Sequence, residues 1–190
     1  MPTYTFTLLI DGPDLQSEEN IEALFEAGCD DALFGARDHI QYADFDREAS
    51  NFAEAVSSAI RDIESTVPDA RVLHIEPEEF VSLTAIADRT GKSRECVRLW
   101  AEGARGPGGF PSAVRWIDAR TRVWRWLDVV GWLPQVGVNL EAAHDIEVVV
   151  TFNGLLEAKN HLNRIAGSEE REAVADFVRE HEELRDLLSV

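Results

Sequence analysis

Nine of the eighteen lysines and arginines in this chain of 190 residues fall between Val81 and Trp126: Arg89, Lys92, Arg94, Arg98, Arg105, Arg115, Arg120, Arg122 and Arg125. Only four of the thirty-six carboxylates share that stretch, namely Asp88, Glu95, Glu102 and Asp118. The segment is therefore about five charges positive, while the whole chain carries a net charge of −18. Clustered cations suit a phosphate backbone, because each neutralised phosphate releases condensed counterions. A guanidinium can also fork onto guanine O6 and N7, which adds base readout to simple attraction. An acidic protein is repelled by nucleic acid everywhere except at such a patch. The pattern points to a module for double-stranded DNA inside an acidic body.

Two short helices must position these cations. Residues 82–91 carry a serine cap, a short amphipathic stretch and a glycine stop. Lys92 and Ser93 follow, and Ser93 can cap a second helix over residues 94–101. Ile86 and Ala87 can pack on Val97 across the turn, giving the steep angle of a helix-turn-helix. The second helix then presents Lys92, Ser93 and Arg94 at its start and Arg98 one turn later. First-turn positions reach base edges when such a helix enters the major groove. Arg94 and Arg98 are expected to read bases, and Ser93 with the helix N-terminus suits a phosphate.

Three runs in order, LTAIADRTGKSRECVRLW, GGFPSAVRW and RVWRWLDVVGWL, resemble the MerR-like winged helix-turn-helix, in particular excisionase and AlpA-type regulators. The resemblance covers residues 80–134. It implies that Phe110-Pro111 steps into a wing, that residues 120–126 form the returning wing strand, and that residues 128–133 form a closing helix. It also implies DNA binding, with Arg105, Arg115, Arg120, Arg122 and Arg125 placed to meet the backbone. The glycine-rich loop over residues 103–109 is longer than the family pattern requires.

Other residue types carry less. The two faces of an alternating Arg122-Val123-Trp124-Arg125-Trp126 strand differ in polarity, so Trp100, Trp116, Trp124, Trp126 and Trp132 read as core. The glycine-rich loop lacks the Gly-Lys-Ser/Thr ending of a phosphate-binding loop. His39, His74, His144, His161 and His181 are scattered without metal-ligand spacing, and Asp30-Asp31 and Asp44/Asp46 are common features of an acidic chain. No catalytic residue, cofactor or metal is expected. Cys29 and Cys96 stand far apart and read as reduced thiols in a cytoplasmic protein.

Around the basic segment the patterning is that of ordinary globular protein. Tyr4, Phe6, Leu8 and Ile10 alternate as in a half-buried strand. Ser17 can cap a helix stopped by Gly28. Strands are expected near residues 31–35 and 39–45, separated by 36–38. Ser50 can cap a helix ended by Pro68, and residues 71–75 form a last strand. The order β-α-β-β-α-β is the ferredoxin-like pattern. Asn139 can cap a long helix over residues 140–166. Ser168 opens another, with Val174, Phe177, Val178, Leu184 and Leu188 on one stripe.

The predicted fold class is thus α+β: a ferredoxin-like domain at 1–76, a winged helix-turn-helix at 80–134 and a C-terminal helical hairpin at 139–190. No apolar run approaches the roughly 18 residues of a membrane span, and no secretory signal is expected at the N-terminus. The function expected is sequence-specific transcription regulation by a homodimer joined through the C-terminal helices. The rival is an interaction protein, antitoxin or recombination accessory whose acidic body binds a partner. A protein partner or small effector would engage the N-terminal domain.

Overall fold

The structure, a computed structural model, describes residues 1–77, 79–116, 121–140, 143–165 and 167–181, without the side chains of 115, 116, 143 and 144. It is a mixed α/β protein with antiparallel sheets. The chain divides into two compact units, Met1–Asn153 and Gly154–Val190, so the division falls inside a helix.

The first unit begins with β1 (Thr3–Asp11), α1 (Glu18–Glu26), β2 (Ala32–Arg37), β3 (Ile40–Glu48), α2 (Phe52–Thr66) and β4 (Arg71–Glu76). The strands form one sheet in the order β2-β3-β1-β4, with every neighbour antiparallel. Alternation along β1 decides the faces. Phe6, Leu8 and Ile10 are buried, and Phe6 stacks on its register partner Phe45 at 5.3 Å. Leu24 of α1 and Val56, Ala59 and Ile63 of α2 are also fully buried. The alternate residues make polar cross-strand pairs, with Thr5 and Thr7 each donating at 2.7 Å to Asp46 and Asp44.

Two boundaries differ from those expected. The hairpin joining β2 to β3 turns at Asp38 and His39, with φ of 51° and 69°, and Ala36 and Arg37 stay in the strand. A two-residue turn of this hand matches the strand twist, and that match outweighs the cost of left-handed backbone at non-glycine residues. The cap of α2 is Asn51, whose side chain accepts from the Glu54 amide at 2.9 Å. Ser50 instead binds back to the Glu54 carboxylate through its amide and hydroxyl, a reciprocal box shifted by one residue.

Arg47, on the inner face of β3, is 6% exposed. Its Nε and Nη2 fork onto Asp31 at 2.8 and 3.0 Å, and Nη1 donates to Asp62 at 2.7 Å and Ser58 at 3.2 Å. Nη2 also donates to the Gly28 carbonyl at 2.8 Å. One guanidinium therefore fastens β3 to α2 and to the segment between α1 and β2. Burial alone would lower its pKa, but the hydrogen bonds it donates to Asp31 and Asp62 outweigh this and raise it. Cys29 lies beside it, and burial pushes its thiol up to about 11. Cys29 and Cys96 are both free.

After β4 come β5 (Phe80–Ser82), α3 (Leu83–Thr90), α4 (Arg94–Ala101), β6 (Arg115–Trp116), β7 (Arg122–Arg125) and α5 (Trp126–Trp132). A second antiparallel sheet has the order β5-β7-β6. The returning strand is shorter than expected, and α5 starts at Trp126, where the backbone amide donates to Glu79 O at 2.7 Å. A 3-10 turn over Leu133–Val136 leads to α6 (Ala143–Arg164). Leu140 is not helical, so the helix does not open at residue 140 as expected; residues 141 and 142, where it would begin, lie outside the described residues.

Asn153 of α6 closes the exposed edge of the first sheet. Its Oδ1 accepts from the Ile75 amide at 2.7 Å, and its Nδ2 donates to the Ile75 carbonyl at 2.9 Å. An edge strand otherwise leaves such groups unpaired, and here one side chain takes the part of a neighbouring strand. Asn153→Leu is expected to cost about 1–3 kcal/mol, since Ile75 would keep two buried polar groups without partners. Urea denaturation and exchange of the Ile75 amide would measure this. Unchanged stability and unchanged exchange would reject the edge-pairing role.

In the second unit, α6 continues to Arg164 and α7 spans Ser168–Glu180. Gly167, not Ser168, holds the cap position of α7. Arg171 donates to the Ile165 and Leu162 carbonyls at 2.9 and 3.0 Å, covering the end of α6. Every residue of α7 is exposed, so the expected packed hairpin is not formed among the described residues. Val174, Phe177 and Val178 alone bury too little to hold two helices together without a third surface. Leu184, Leu188 and Val190 lie outside the described residues.

Candidate nucleic-acid interface

The turn between α3 and α4 is built as its sequence dictates. Ser82 Oγ accepts from the Ala85 amide at 3.2 Å and starts α3. Gly91 ends it with φ 63° and ψ 24°, a left-handed conformation that favours glycine. The Lys92 amide then returns to the Ala87 carbonyl at 3.0 Å. Ser93 Oγ accepts from the Cys96 amide at 3.2 Å and starts α4. Ile86, Ala87, Val97 and Trp100 are buried together, which fixes the angle between the two helices.

The core beneath α4 is aromatic. Trp100, Trp124, Trp126 and Trp132 are each 1–4% exposed, so these four indoles are occupied in packing; the Trp116 side chain is outside the described residues. Phe110 meets Trp132 edge-on at 4.9 Å and Trp124 at 6.2 Å. Two indole N–H groups hold the glycine-rich segment: Trp132 donates to Gly108 O at 2.9 Å and Trp124 to Pro111 O at 3.0 Å. That loop is thus tied to the core at its end, while Arg105 within it is exposed.

The candidate cations fall into distinct groups. Lys92, Ser93 and Arg94 are exposed together at the start of α4, where unpaired backbone amides add partial positive charge. Neither Lys92 nor Arg94 has an ion pair among the described residues. Ser93 contributes its oxygen to the helix cap, leaving its hydroxyl proton and the neighbouring amides to face an anion. Arg98 is engaged: Nε and Nη2 fork onto Glu95 at 2.8 and 2.6 Å, and Nη1 pairs with Glu102. The hydrogen bond from Arg98 holds the Glu95 carboxyl below its ordinary range.

The arginines of β7 lie against aromatic rings. Arg122 lies over Trp124 at 5.4 Å. Arg125 reaches Glu79 at 3.5 Å and Phe80 at 5.9 Å, towards the start of β5. Arg89, near the end of α3, lies over Trp126 at 5.1 Å. The Arg115 side chain and the whole of Arg120 are outside the described residues.

The expectation that Arg94 and Arg98 act alike therefore meets a physical difference. The i,i+3 and i,i+4 spacings of Glu95, Arg98 and Glu102 were legible in the sequence as ion-pair spacings. Asp31 likewise is held by Arg47, and Asp44 and Asp46 by threonines. Among the described residues no group of three His, Cys, Asp or Glu side chains could hold a metal ion. Nor, among the described residues, is any helix long and apolar enough to cross a membrane. In comparisons with known proteins, no family model, no curated protein and no solved structure matches the chain.

Proposed function

We propose that this protein is a sequence-specific double-stranded-DNA-binding regulator. In this reading α3 and α4 are the two helices of a MerR-like, excisionase-type helix-turn-helix, the β6–β7 hairpin is its wing, and residues 1–76 are a ferredoxin-like accessory domain. The observation that carries the reading is the start of α4, where Lys92 and Arg94 stand exposed and without ion pairs among the described residues, on a helix whose other side is buried on the tryptophan core. A rigid, cationic helix end is what a groove contact needs.

Titration of a random duplex across a salt series tests it. Affinity should fall steeply with salt, and Lys92→Ala should reduce the log–log slope by about one unit. On a selected site, Arg94→Ala should weaken binding by about 1–3 kcal/mol and relax preference at one base pair. Salt-independent or undetectable binding would favour the interaction-protein reading, in which the acidic surface takes a basic partner. The exposed stripe of Val174, Phe177 and Val178 on α7 supports assembly as a homodimer, since paired half-sites need two recognition helices. Sedimentation of the full chain as a dimer at micromolar concentration is the expected companion result.

A further inference from the structure

The outermost ridge of α4 is not its free cations but a charge relay of Glu95, Arg98 and Glu102. At about 3.6 residues per turn these three positions stack along one line. That line lies opposite buried Val97 and Trp100, so whatever docks on α4 meets the ridge first. Arg98 binds both oxygens of Glu95 and also Glu102. The ridge therefore carries one net negative charge. For Arg98 to reach guanine it would have to abandon two carboxylates and leave them facing a polyanion.

Glu95 is placed differently. Its side chain is 63% exposed, in the first turn of the helix. A carboxylate has about four lone-pair sites, and the Arg98 fork uses one on each oxygen. Acceptor capacity therefore remains on an exposed carboxylate that Arg98 holds by both oxygens. A phosphate would be repelled by it, whereas a groove-floor donor would be attracted. Among major-groove donors, adenine N6 sits beside the N7 acceptor, which opposes a carboxylate. Cytosine N4 is flanked within its own base by C5–H.

We propose that Glu95 is a specificity-determining residue that accepts a hydrogen bond from cytosine N4, and that Arg98 is the positioning residue that holds its carboxylate. This rests on the DNA-binding reading and exchanges the role of Arg98 from base reader to support. Arg94, on the neighbouring line of the helix, keeps the guanine-reading role.

The test is selection from a randomised duplex library with the full-length chain, Glu95→Gln and Arg98→Met, all verified as folded by circular dichroism. The wild-type chain should enrich cytosine at one position, about fivefold or more over other bases. Glu95→Gln should shift that one position towards adenine, which glutamine can grip at N6 and N7, with the other positions retained. Arg98→Met should blur the same position and no other. Tighter binding of Glu95→Gln to every sequence alike, with an unchanged selected site, would overturn the proposal and make Glu95 a mere repeller of phosphate. Loss of a guanine preference elsewhere in the site on Arg98→Met would also overturn it, by returning Arg98 to base contact. Failure of the wild-type chain to enrich any duplex would overturn the DNA-binding reading itself, and is distinguishable from both.

Discussion

Arg47→Ala should destabilise the first unit by about 3–5 kcal/mol, the cost of leaving partners of a buried ion pair unmatched. The guanidinium makes bonds to Asp31, Asp62, Ser58 and the Gly28 carbonyl from a position 6% exposed. Its removal leaves two carboxylates facing each other across a vacated space. Both aspartates keep 25% side-chain exposure, so water can relieve part of the penalty and the lower end of the range is expected. Urea denaturation followed by far-ultraviolet circular dichroism measures the effect. Arg47→Met, which fills the volume without the charge, should also be destabilising, because neither aspartate regains a partner. A loss below about 1 kcal/mol, the scale of an exposed surface pair, would show that the network stabilises little.

Trp124→Ala should be comparably severe, at about 3–5 kcal/mol, and should abolish whatever activity the α3–α4 region has. Trp124 is 1% exposed on the central strand of the second sheet, paired in register with Val81. Its ring packs against Phe110, and its N–H holds the Pro111 carbonyl. Truncation would open a cavity under α4 and release the end of the glycine-rich segment at the same time. Trp124→Phe keeps an aromatic ring and loses the hydrogen bond, so its loss should be smaller. Denaturation curves for the two variants, set beside duplex-binding titrations, separate a packing role from a direct one. If Trp124→Ala lost binding while retaining full stability, the indole would have to be a nucleic-acid contact.

The sequence by itself determined what is local. Ser17, Ser82 and Ser93 cap the helices they precede, and Gly91 supplies the left-handed stop. These outcomes depend on a few adjacent residues, whose backbone groups need partners whatever the distant chain does. Alternation along β1 fixed its buried face in the same way. Four of the five tryptophans are buried as their residue type suggested, but not through strand alternation: Val123 and Trp124 are adjacent and both buried, and Trp126 opens α5.

Tertiary structure decided where long-range partners compete for a side chain. Nothing near Arg47 in sequence announces a buried cation, since Asp31 is brought to it by the pairing of β2 with β3 and Asp62 by the packing of α2 on the sheet. Asn153 looks like any polar residue in a helix until β4 becomes an edge strand needing a partner 78 residues away. The pattern of α7 offered an apolar stripe, but a stripe states only that a face can be buried and not what will bury it. Arg98 is the intermediate case. Its ion-pair spacing is written in the sequence, yet whether it turns to Glu95 and Glu102 or outward depends on which charges the fold leaves within reach. Local backbone bonding is obligatory and therefore readable, whereas a long side chain takes the best partner that the finished fold presents.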